Sequence, residues 1–166
     1  ATIGGNIAAN KSASDIIGTL IAYKALLLVI TGKDKKEIPV DSWIKSPEGL
    51  IVEIKFPEPE RQIFHRRFSR TKNDLPLVKI TAGFTKENGG GFEDVIIAAS
   101  SVAEKVIVLE NTSKYLNGKA VADINEEQIR AAVDKDINPI DDHRASAAYR
   151  KELVYTAVDE FVNYKG

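Results

Sequence analysis

The chain begins with Ala1-Thr2-Ile3-Gly4-Gly5-Asn6-Ile7-Ala8-Ala9-Asn10-Lys11-Ser12-Ala13-Ser14-Asp15. Two adjacent glycines are followed by small and polar residues, and then by an acidic residue that opens an apolar stretch. Because glycine has no Cβ, such a pair can adopt positive φ and lets another group approach bare backbone. Backbone N–H groups in a turn beside a helix start form a donor surface suited to a diphosphate. The stretch predicts part of a dinucleotide site, with a tight turn before a buried helix as the alternative.

This glycine pair differs from the two most familiar phosphate-binding motifs. It lacks the G-x-G-x-x-G spacing of the Rossmann fingerprint, and no Lys-Ser or Lys-Thr follows it as in a Walker loop. The Gly89-Gly90-Gly91 triplet is a second candidate cradle, but it lies between two predicted strands. Since no helix N-terminus follows the triplet, a hairpin loop is the favoured interpretation there.

The composition excludes several functions. The 23 basic and 24 acidic residues are interspersed and give a net charge of -1, so there is no electrostatic case for nucleic acid or an anionic membrane. The chain has no cysteine, which excludes disulfides and thiolate-held zinc or iron–sulfur clusters within it. Its longest apolar run, Ala25 to Ile30, has the length of a strand, and we expect no transmembrane segment. The two histidines, His65 and His143, lack ligand spacing, so we expect no metal site.

The amino-terminal pattern predicts a helix followed by strands. Ser12 or Ser14 can cap a helix over residues 15–24, in which Asp15 suits the positive end of the dipole. A buried strand follows over 25–30, then a charged turn over 33–36 and a loop over 38–49 that burial of Trp43 would anchor. Residues 50–56 alternate, which predicts a half-buried strand with Leu50, Val52, Ile54 and Phe56 on one face.

Pro57-Glu58-Pro59-Glu60 breaks regular structure, and we place a domain boundary there, dividing the chain into residues 1–58 and 59–166. Beyond it the pattern predicts a strand over 63–70, a hairpin of 77–86 with 92–101, and a short strand over 106–109. Helices are expected after Asn111 or Thr112, over 129–137 behind an Asn125 capping box, and over 144–163. Together these elements predict an α+β fold.

Three segments resemble one protein family, in that family's order. Thr2-Ile3-Gly4-Gly5-Asn6-Ile7-Ala8 with Ser12-Ala13-Ser14-Asp15 is similar to the second FAD-binding motif of the molybdenum hydroxylase flavoproteins. These are the medium subunits of carbon monoxide, xanthine and nicotinate dehydrogenases. Arg66-Arg67-Phe68-Ser69-Arg70 with Asp74-Leu75-Pro76-Leu77-Val78 resembles the family's Lys-x-x-x-Arg and Asp-(Leu/Ile)-Ala-x-Val stretch. Asp141-Asp142-His143-Arg144-Ala145-Ser146-Ala147-Ala148-Tyr149-Arg150 resembles its Asp-x-Arg-(Ala/Gly)-Ser-Ala-x-Tyr-Arg segment.

The resemblance implies a set of FAD-binding residues: Thr2, Ile3, Gly4, Gly5, Asn6, Asp15, Ile51 and Arg66. Backbone and side chains of residues 2–6 would hold the diphosphate, and Asp15 would contact the nucleotide as well as stabilise a helix. Ile51 would pack near the flavin ring or simply belong to a core strand. Arg66 matches the family lysine near the flavin edge, with Arg67 possible after a one-residue shift and a solvated basic face as the alternative.

The family's fold and function follow as expectations. Residues 1–58 would be the second half of a two-part FAD-binding domain, and residues 59–166 a small antiparallel sheet packed against helices. The activity would be electron transfer in the cytoplasm, from iron–sulfur clusters of one partner subunit, fed by the molybdenum cofactor of another, through FAD to NAD or another acceptor. We expect no catalytic side chain in this chain itself, since the flavin supplies the redox chemistry.

Two other functions stay open on the residues alone. A cofactor-free domain for subunit assembly is the main alternative, and a flavoenzyme of the vanillyl-alcohol oxidase type is a weaker one. The family's first FAD motif lies upstream of the glycine pair and is absent here, so we expect an amino-terminally truncated medium subunit. Asp141 and Asp142 could act as a general acid and base, but helix entry and pairing with Arg144 or Arg150 is the favoured role.

Overall fold

Two antiparallel sheets organise the chain in a computed structural model that describes residues 2–57, 61–86 and 91–164. The helices are α1 (Ile3–Ala9), α2 (Ile17–Ala22), α3 (Val40–Trp43), α4 (Glu110–Leu116), α5 (Glu126–Asp136) and α6 (Ala147–Val162). The strands are β1 (Leu26–Thr31), β2 (Asp34–Pro39), β3 (Leu50–Lys55), β4 (Gln62–Phe68), β5 (Val78–Lys86), β6 (Phe92–Ser100) and β7 (Ile107–Val108). The predicted α+β class is confirmed. The boundary proposed between residues 58 and 59 and the glycine triplet's loop over 87–90 lie outside the described residues.

The first sheet has the order β2-β1-β3, and both pairings are antiparallel. The predicted turn over 33–36 is wrong beyond its first residue, because Asp34 already begins β2 opposite Thr31. The predicted loop over 38–49 contains the short helix α3. Trp43 anchors this segment as expected: it is buried, and its Nε1 donates to the Glu48 carbonyl at 2.9 Å.

A β-bulge changes which side chains of β3 face the core. Val29 pairs with Ile51 while Leu28 pairs with Glu53, so Val52 is an extra residue on β3. Such a residue shifts the alternation by one position. Ile51 and Ile54 therefore both pack against the core of this sheet. The predicted face was wrong for the other three apolar residues, which are exposed: Leu50, Val52 and Phe56.

The second sheet has the order β4-β5-β6-β7 and confirms the predicted hairpin of β5 with β6. Helices α4, α5 and α6 cover one of its faces and enclose a core in which Phe161 contacts the rings of Phe64, Phe84 and Phe92 at centroid distances of 5.0–5.6 Å. Helix α2 covers the opposite face. The central strand β5 is therefore buried on both sides along almost its whole length.

Glycines allow helix α2 to lie close to the second sheet. A Cβ built on Gly83 would lie 2.0 Å from the carbonyl oxygen of Ala22, which is a hard clash with backbone. A Cβ on Gly18 would lie 3.5 Å from the Cβ of Ala98, in ordinary contact. Gly83 is thus required for the packing of the amino-terminal segment on the second sheet.

Helix ends confirm some predicted caps and correct others. Asn125 caps α5 by accepting from the Gln128 amide at 3.0 Å, as predicted. Neither Asn111 nor Thr112 caps α4; both donate their amides to the Asp136 carboxylate at the far end of α5. Helix α6 begins later than predicted, since Ser146 is its N-cap. No helix within residues 2–57, 61–86 and 91–164 has the length and apolarity needed to cross a bilayer.

Candidate functional site

The glycine pair lies in the first turn of helix α1 rather than in a turn before a helix. Thr2 is the N-cap: its Oγ1 accepts from the Gly5 amide at 3.1 Å, and its carbonyl accepts from the Asn6 amide at 3.0 Å. Neither Gly4 nor Gly5 has positive φ, so the expected left-handed conformation is not used. The amides of Ile3 and Gly4 have no partner among the described residues, as is usual for the first amides of a helix.

Gly4 is the residue whose presence the chain's own packing does not explain. A Cβ built there would meet no atom within 4 Å, whereas one on Gly5 would meet the Thr2 hydroxyl at 3.0 Å. Glycine in a helix lowers stability by about 0.5–1 kcal/mol relative to alanine. No close contact among the described residues requires glycine at this position. Open space in front of bare backbone and two available amides match what a diphosphate group needs. The residues present therefore fit the phosphate part of a dinucleotide.

The segment after α1 is held by the residue that ends α3 and by the loop that follows β6. Asn10 ends the helix at φ 44° and donates its side-chain amide to the Ile44 carbonyl at 2.9 Å. Ser12 donates its hydroxyl to the Ala103 carbonyl at 2.6 Å and accepts from the Ser101 amide through its own carbonyl. Such anchoring pre-organises the surface next to the glycine pair.

Asn6 connects the helix to the loop that follows it. Its Oδ1 accepts from the Ser14 hydroxyl at 2.6 Å, and Ser14 Oγ in turn accepts from the Ile16 and Ile17 amides at the start of α2. Ser14, not Ser12, therefore caps α2. The side-chain nitrogen of Asn6 has no partner within the described ranges and can donate to a ligand.

A cavity of about 640 Å³ lies between this loop and the carboxyl-terminal half of the chain. Its lining contains polar and basic groups as well as apolar ones: Asn6, Ala9, Lys11, Ser12, Ala13, Ser14, Leu75, His143 and Arg144. A smaller cavity of about 270 Å³ shares Leu75, His143 and Arg144 with it. One buried nitrogen of Arg144, Nη1, has no partner among the described residues. The cavity thus offers donors and positive charge beside α1, which favours an anionic ligand.

Asp15 lies against two cations of the second sheet. Its Oδ1 accepts from Arg67 Nε at 3.1 Å, and its backbone carbonyl accepts from Lys79 Nζ. Lys79 is buried, which lowers the pKa of its ammonium group. Asp15 also serves helix α2, since its carbonyl accepts from the Thr19 hydroxyl at 3.4 Å.

Arg66 and Ile51 lie away from this cavity. Arg66 is on the opposite face of β4 from Arg67, where its Nε pairs with Glu160 of α6 at 2.9 Å and its guanidinium lies 5.0 Å from the Phe68 ring centroid. Ile51 is half-buried and packs against the core cluster that contains Ile7 of α1. Of the predicted site residues, only Asn6 lines the cavity; the other seven do not: Thr2, Ile3, Gly4, Gly5, Asp15, Ile51 and Arg66. The structure joins α1 to the loop over residues 11–14 through the hydrogen bond between Asn6 and Ser14.

The segment over residues 141–150 forms a dense internal hydrogen-bond network, although Arg144 Nη1 and Arg150 Nε are buried without a partner among the described residues. Asp142 accepts from the Arg144 amide and guanidinium, from the Ala145 amide, and from Arg150 Nη2 at 2.8 Å. Burial raises the pKa of Asp142, but the donors from Arg144, Ala145 and Arg150 outweigh it and hold that pKa well below its ordinary value. The favoured interpretation, in which these carboxylates organise the helix entry, agrees with this geometry.

Arg150 and Tyr149 differ in burial in the direction opposite to the usual one for their residue types. Tyr149 is 51% exposed, while Arg150 is only 2% exposed. Arg150 donates to the carbonyls of Leu77, which immediately precedes β5, and of Ser101, which immediately follows β6. The arginine therefore joins helix α6 to the second sheet.

Sequence reasoning missed Lys79 and the cavity-lining pair His143 and Arg144. Lys79 had a usable signal, because it interrupts the buried apolar strand 77–84 and a buried ammonium needs partners. His143 and Arg144 had none, since their place beside the loop 11–14 depends on the fold. No group of three or more histidine, cysteine, aspartate or glutamate side chains that could hold a metal lies in the part of the chain that the structure describes.

Comparisons with known proteins bear on both halves of the chain. Residues 64–164 match the sequence model of the CO dehydrogenase flavoprotein C-terminal domain, and residues 1–59 match that of the FAD binding domain in molybdopterin dehydrogenase. The glyceraldehyde dehydrogenase medium chain of Sulfolobus acidocaldarius is 27% identical over 161 residues, covering 92% of this chain and 57% of the relative. The YgfM protein of Escherichia coli K12 is 29% identical over 154 residues, covering 92% and 53%.

Solved structures show the same fold. A chain of carbon monoxide dehydrogenase from Hydrogenophaga pseudoflava superposes with a TM-score of 0.83 at 23% identity, covering 96% of this chain and 58% of the other. A chain of quinoline 2-oxidoreductase from Pseudomonas putida 86 gives a TM-score of 0.80 at 20% identity, covering 98% and 59%. The chain spans little more than half the length of each of these proteins.

Proposed function

The chain belongs to the CO dehydrogenase flavoprotein family, the FAD-binding medium subunits of the molybdenum hydroxylases, and from that premise we propose that it binds FAD and passes electrons within such an enzyme. The observation that carries the proposal is the open amino-terminal end of α1. There, among the residues that the structure describes, the Ile3 and Gly4 amides have no partner and the space beside Gly4 is open.

Residues 2–6 would hold the diphosphate. The Ile3 and Gly4 amides donate toward open space, Asn6 has a free side-chain donor, and Thr2 fixes the helix start. Negative charge at this end is also favoured by the helix dipole. Asp15 would contact the nucleotide, and the basic groups Lys11 and Arg144 would balance phosphate charge. All eight site residues stay predictions from the resemblance, and of these only Asn6 lines the cavity.

FAD supplies the one- and two-electron chemistry when bound, and the chain's role is to bind and orient it. We propose that the electrons come from iron–sulfur clusters of a partner subunit and originally from a molybdenum cofactor in another. The Hydrogenophaga pseudoflava carbon monoxide dehydrogenase is described as lacking the Mo-pyranopterin moiety of the molybdenum cofactor, and that description supports a molybdenum enzyme. The 166 residues contain no cysteine, so thiolate-held clusters would have to lie elsewhere. We further propose that the electrons pass to NAD or another acceptor and that the protein works in the cytoplasm.

FAD titration tests the proposal. We expect the purified chain to bind FAD with quenching of flavin fluorescence, and Gly4→Val to weaken binding at least about tenfold, a change of about 1.4 kcal/mol. The valine side chain would occupy the space that the diphosphate needs. Ala8→Val is the matched control, because Ala8 is exposed on the same helix and does not line the cavity. Absence of FAD binding by the unsubstituted chain, or equal losses in both variants, would contradict the proposal.

A cofactor-free assembly domain is the second candidate. Edge strand β3 has exposed apolar side chains, with Leu50 67% and Val52 46% exposed, next to Phe56 at 59%. Exposed apolar groups in such a cluster are typical of interaction surfaces. This function is favoured over the first only if the chain binds no FAD.

A further inference from the structure

Two cations of the second sheet fix Asp15, a residue that the family resemblance alone assigns to the nucleotide. Resting on the proposed FAD site, we propose that Arg67 is a positioning residue that orients the Asp15 carboxylate toward the nucleotide without contacting the ligand itself. The second sheet would then contribute to FAD affinity through Arg67, in addition to the glycine motif.

Each nitrogen of the Arg67 guanidinium has a partner within the chain. Its Nε donates to Asp15 Oδ1 at 3.1 Å, its Nη1 to the Ser69 hydroxyl at 2.7 Å, and its Nη2 to the Asp74 carbonyl. Its side chain is 26% exposed. Because three of its five N–H groups hold other parts of the chain, the orientation of Arg67 is fixed, and this suits a positioning role.

Asp15 is held at two points and keeps one free acceptor. Arg67 engages Oδ1, and Lys79 engages the backbone carbonyl while also donating to the Thr19 hydroxyl at 3.2 Å. Oδ2 has no partner among the described residues, and the side chain is 49% exposed. A carboxylate with one fixed and one open oxygen is suited to accept from a sugar hydroxyl.

Arg67 and Lys79 also offset the negative charge of Asp15. An unpaired carboxylate near a diphosphate would repel it, and the repulsion is stronger where water is partly excluded. The two cations offset the charge of Asp15, so its hydrogen-bonding oxygen can serve a nucleotide without that penalty. Arg67 further ties Asp15 to the loop of Ser69 and Asp74, which adjoins the cavity at Leu75.

A double-mutant cycle on FAD affinity tests this inference. The variants are Arg67→Ala, Asp15→Ala and the double substitution, with Arg130→Ala as the control, since Arg130 is also a partly exposed arginine, paired with Glu126 and Glu152 on other elements. We expect Arg67→Ala to raise the FAD dissociation constant about three- to tenfold. In the Asp15→Ala background the same change should add nothing, because the role of Arg67 passes through Asp15.

Each outcome separates one account from another. Equal losses of FAD affinity from Arg67→Ala in both backgrounds would mean that Arg67 contacts FAD directly. An unchanged dissociation constant would mean that Arg67 neither contacts FAD nor positions Asp15 for it. Either result overturns the inference. If Asp15→Ala itself has no effect, the inference also fails while the FAD site stands. Failure of the unsubstituted chain to bind FAD would instead refute the proposed function.

A second variant guards against loss of folding. Arg67→Lys keeps a charge for Asp15 but cannot bridge to Ser69 and Asp74 at once, so we expect an intermediate dissociation constant. Urea unfolding of every variant shows whether the fold is kept. An Arg67→Lys affinity no better than that of a stably folded Arg67→Ala would contradict a positioning role that depends on charge.

Discussion

Residues 2–15 and residues 141–150 both resemble the same family, yet their polar groups are satisfied in different ways. In the first segment, two helix amides and one side-chain amide nitrogen lack partners among the described residues, and Gly4 borders open space. In the second, Asp142 accepts from two arginines and two backbone amides, and Arg150 is buried at 2% exposure. The first segment presents unused donors beside open space. The second directs most of its donors to groups inside the fold and leaves only Arg144 Nη1 and Arg150 Nε without a partner among the described residues.

The difference shows that two equally diagnostic motifs can do different physical work. Family resemblance marks both segments, but only the partners of each polar group distinguish a ligand site from a structural network. Arg67 has features of both segments. Each of its guanidinium nitrogens has a partner within the chain, and one of these partners is Asp15 of the first segment. The comparison predicts that substitutions in the second segment mainly lower the free energy of unfolding, whereas substitutions in the first mainly weaken FAD binding.

The largest effect is expected at Arg150. Arg150→Met removes a buried donor to Asp142 and to the Leu77 and Ser101 carbonyls, leaving a partly buried carboxylate short of partners. We expect the free energy of unfolding to fall by about 3–5 kcal/mol, as measured by urea unfolding followed by circular dichroism. Arg130→Met, on the surface of α5, should change the midpoint little. Equal, small shifts for both variants would mean that the segment is not a structural network.

A pair of glycines sharpens the comparison at the next level. Gly83→Ala would press a Cβ against the Ala22 carbonyl. Because that carbonyl belongs to the backbone and cannot move aside easily, we expect the free energy of unfolding to fall by about 1–3 kcal/mol. Gly4→Ala should leave stability unchanged or raise it by up to about 1 kcal/mol, because the helix gains propensity and nothing is displaced. Thermal or urea unfolding of both variants checks this. A destabilised Gly4→Ala variant would show that Gly4 serves the fold.

A smaller effect is expected in the pH dependence of stability. The pKa of Asp142 is lower in the folded chain than its ordinary 3.8, so its contribution is complete above that value and is lost as the pH falls below it. Urea midpoints from about pH 6 to about pH 2 should therefore fall less steeply for Asp142→Asn than for the unsubstituted chain. Parallel slopes for the unsubstituted chain and Asp142→Asn would refute the assignment.

Much of the fold was predictable because local patterns and packing agree. The β5–β6 hairpin and the Asn125 cap follow from alternation and capping chemistry, and the structure confirms both. The face of β3 was not predictable, since the bulge at Val52 depends on pairing with β1. The start of α4 was missed for the same kind of reason: its first amides are satisfied by Asp136, which is distant in sequence.

The site was predictable in its residue types but not in its assembly. The glycine pair, Asn6 and Asp15 follow from the motif, although the pair lies in a helix and not in a turn. The choice between Arg66 and Arg67 could not be made from sequence, because it depends on which face of β4 meets the amino-terminal segment. The structure pairs Arg67 with Asp15 and Arg66 with Glu160.

The most direct test is a map of backbone amide chemical shifts as FAD is added to the isotopically labelled chain. The account predicts that the largest changes occur at the amides of Ile3 and Gly4. The amides of Ala145 and Arg150, which donate to Asp142 and to the Ser146 carbonyl and do not line the cavity, should stay nearly constant. Binding of FAD that leaves Ile3 and Gly4 unmoved, or that shifts chiefly the amides of residues 145–150, would contradict it.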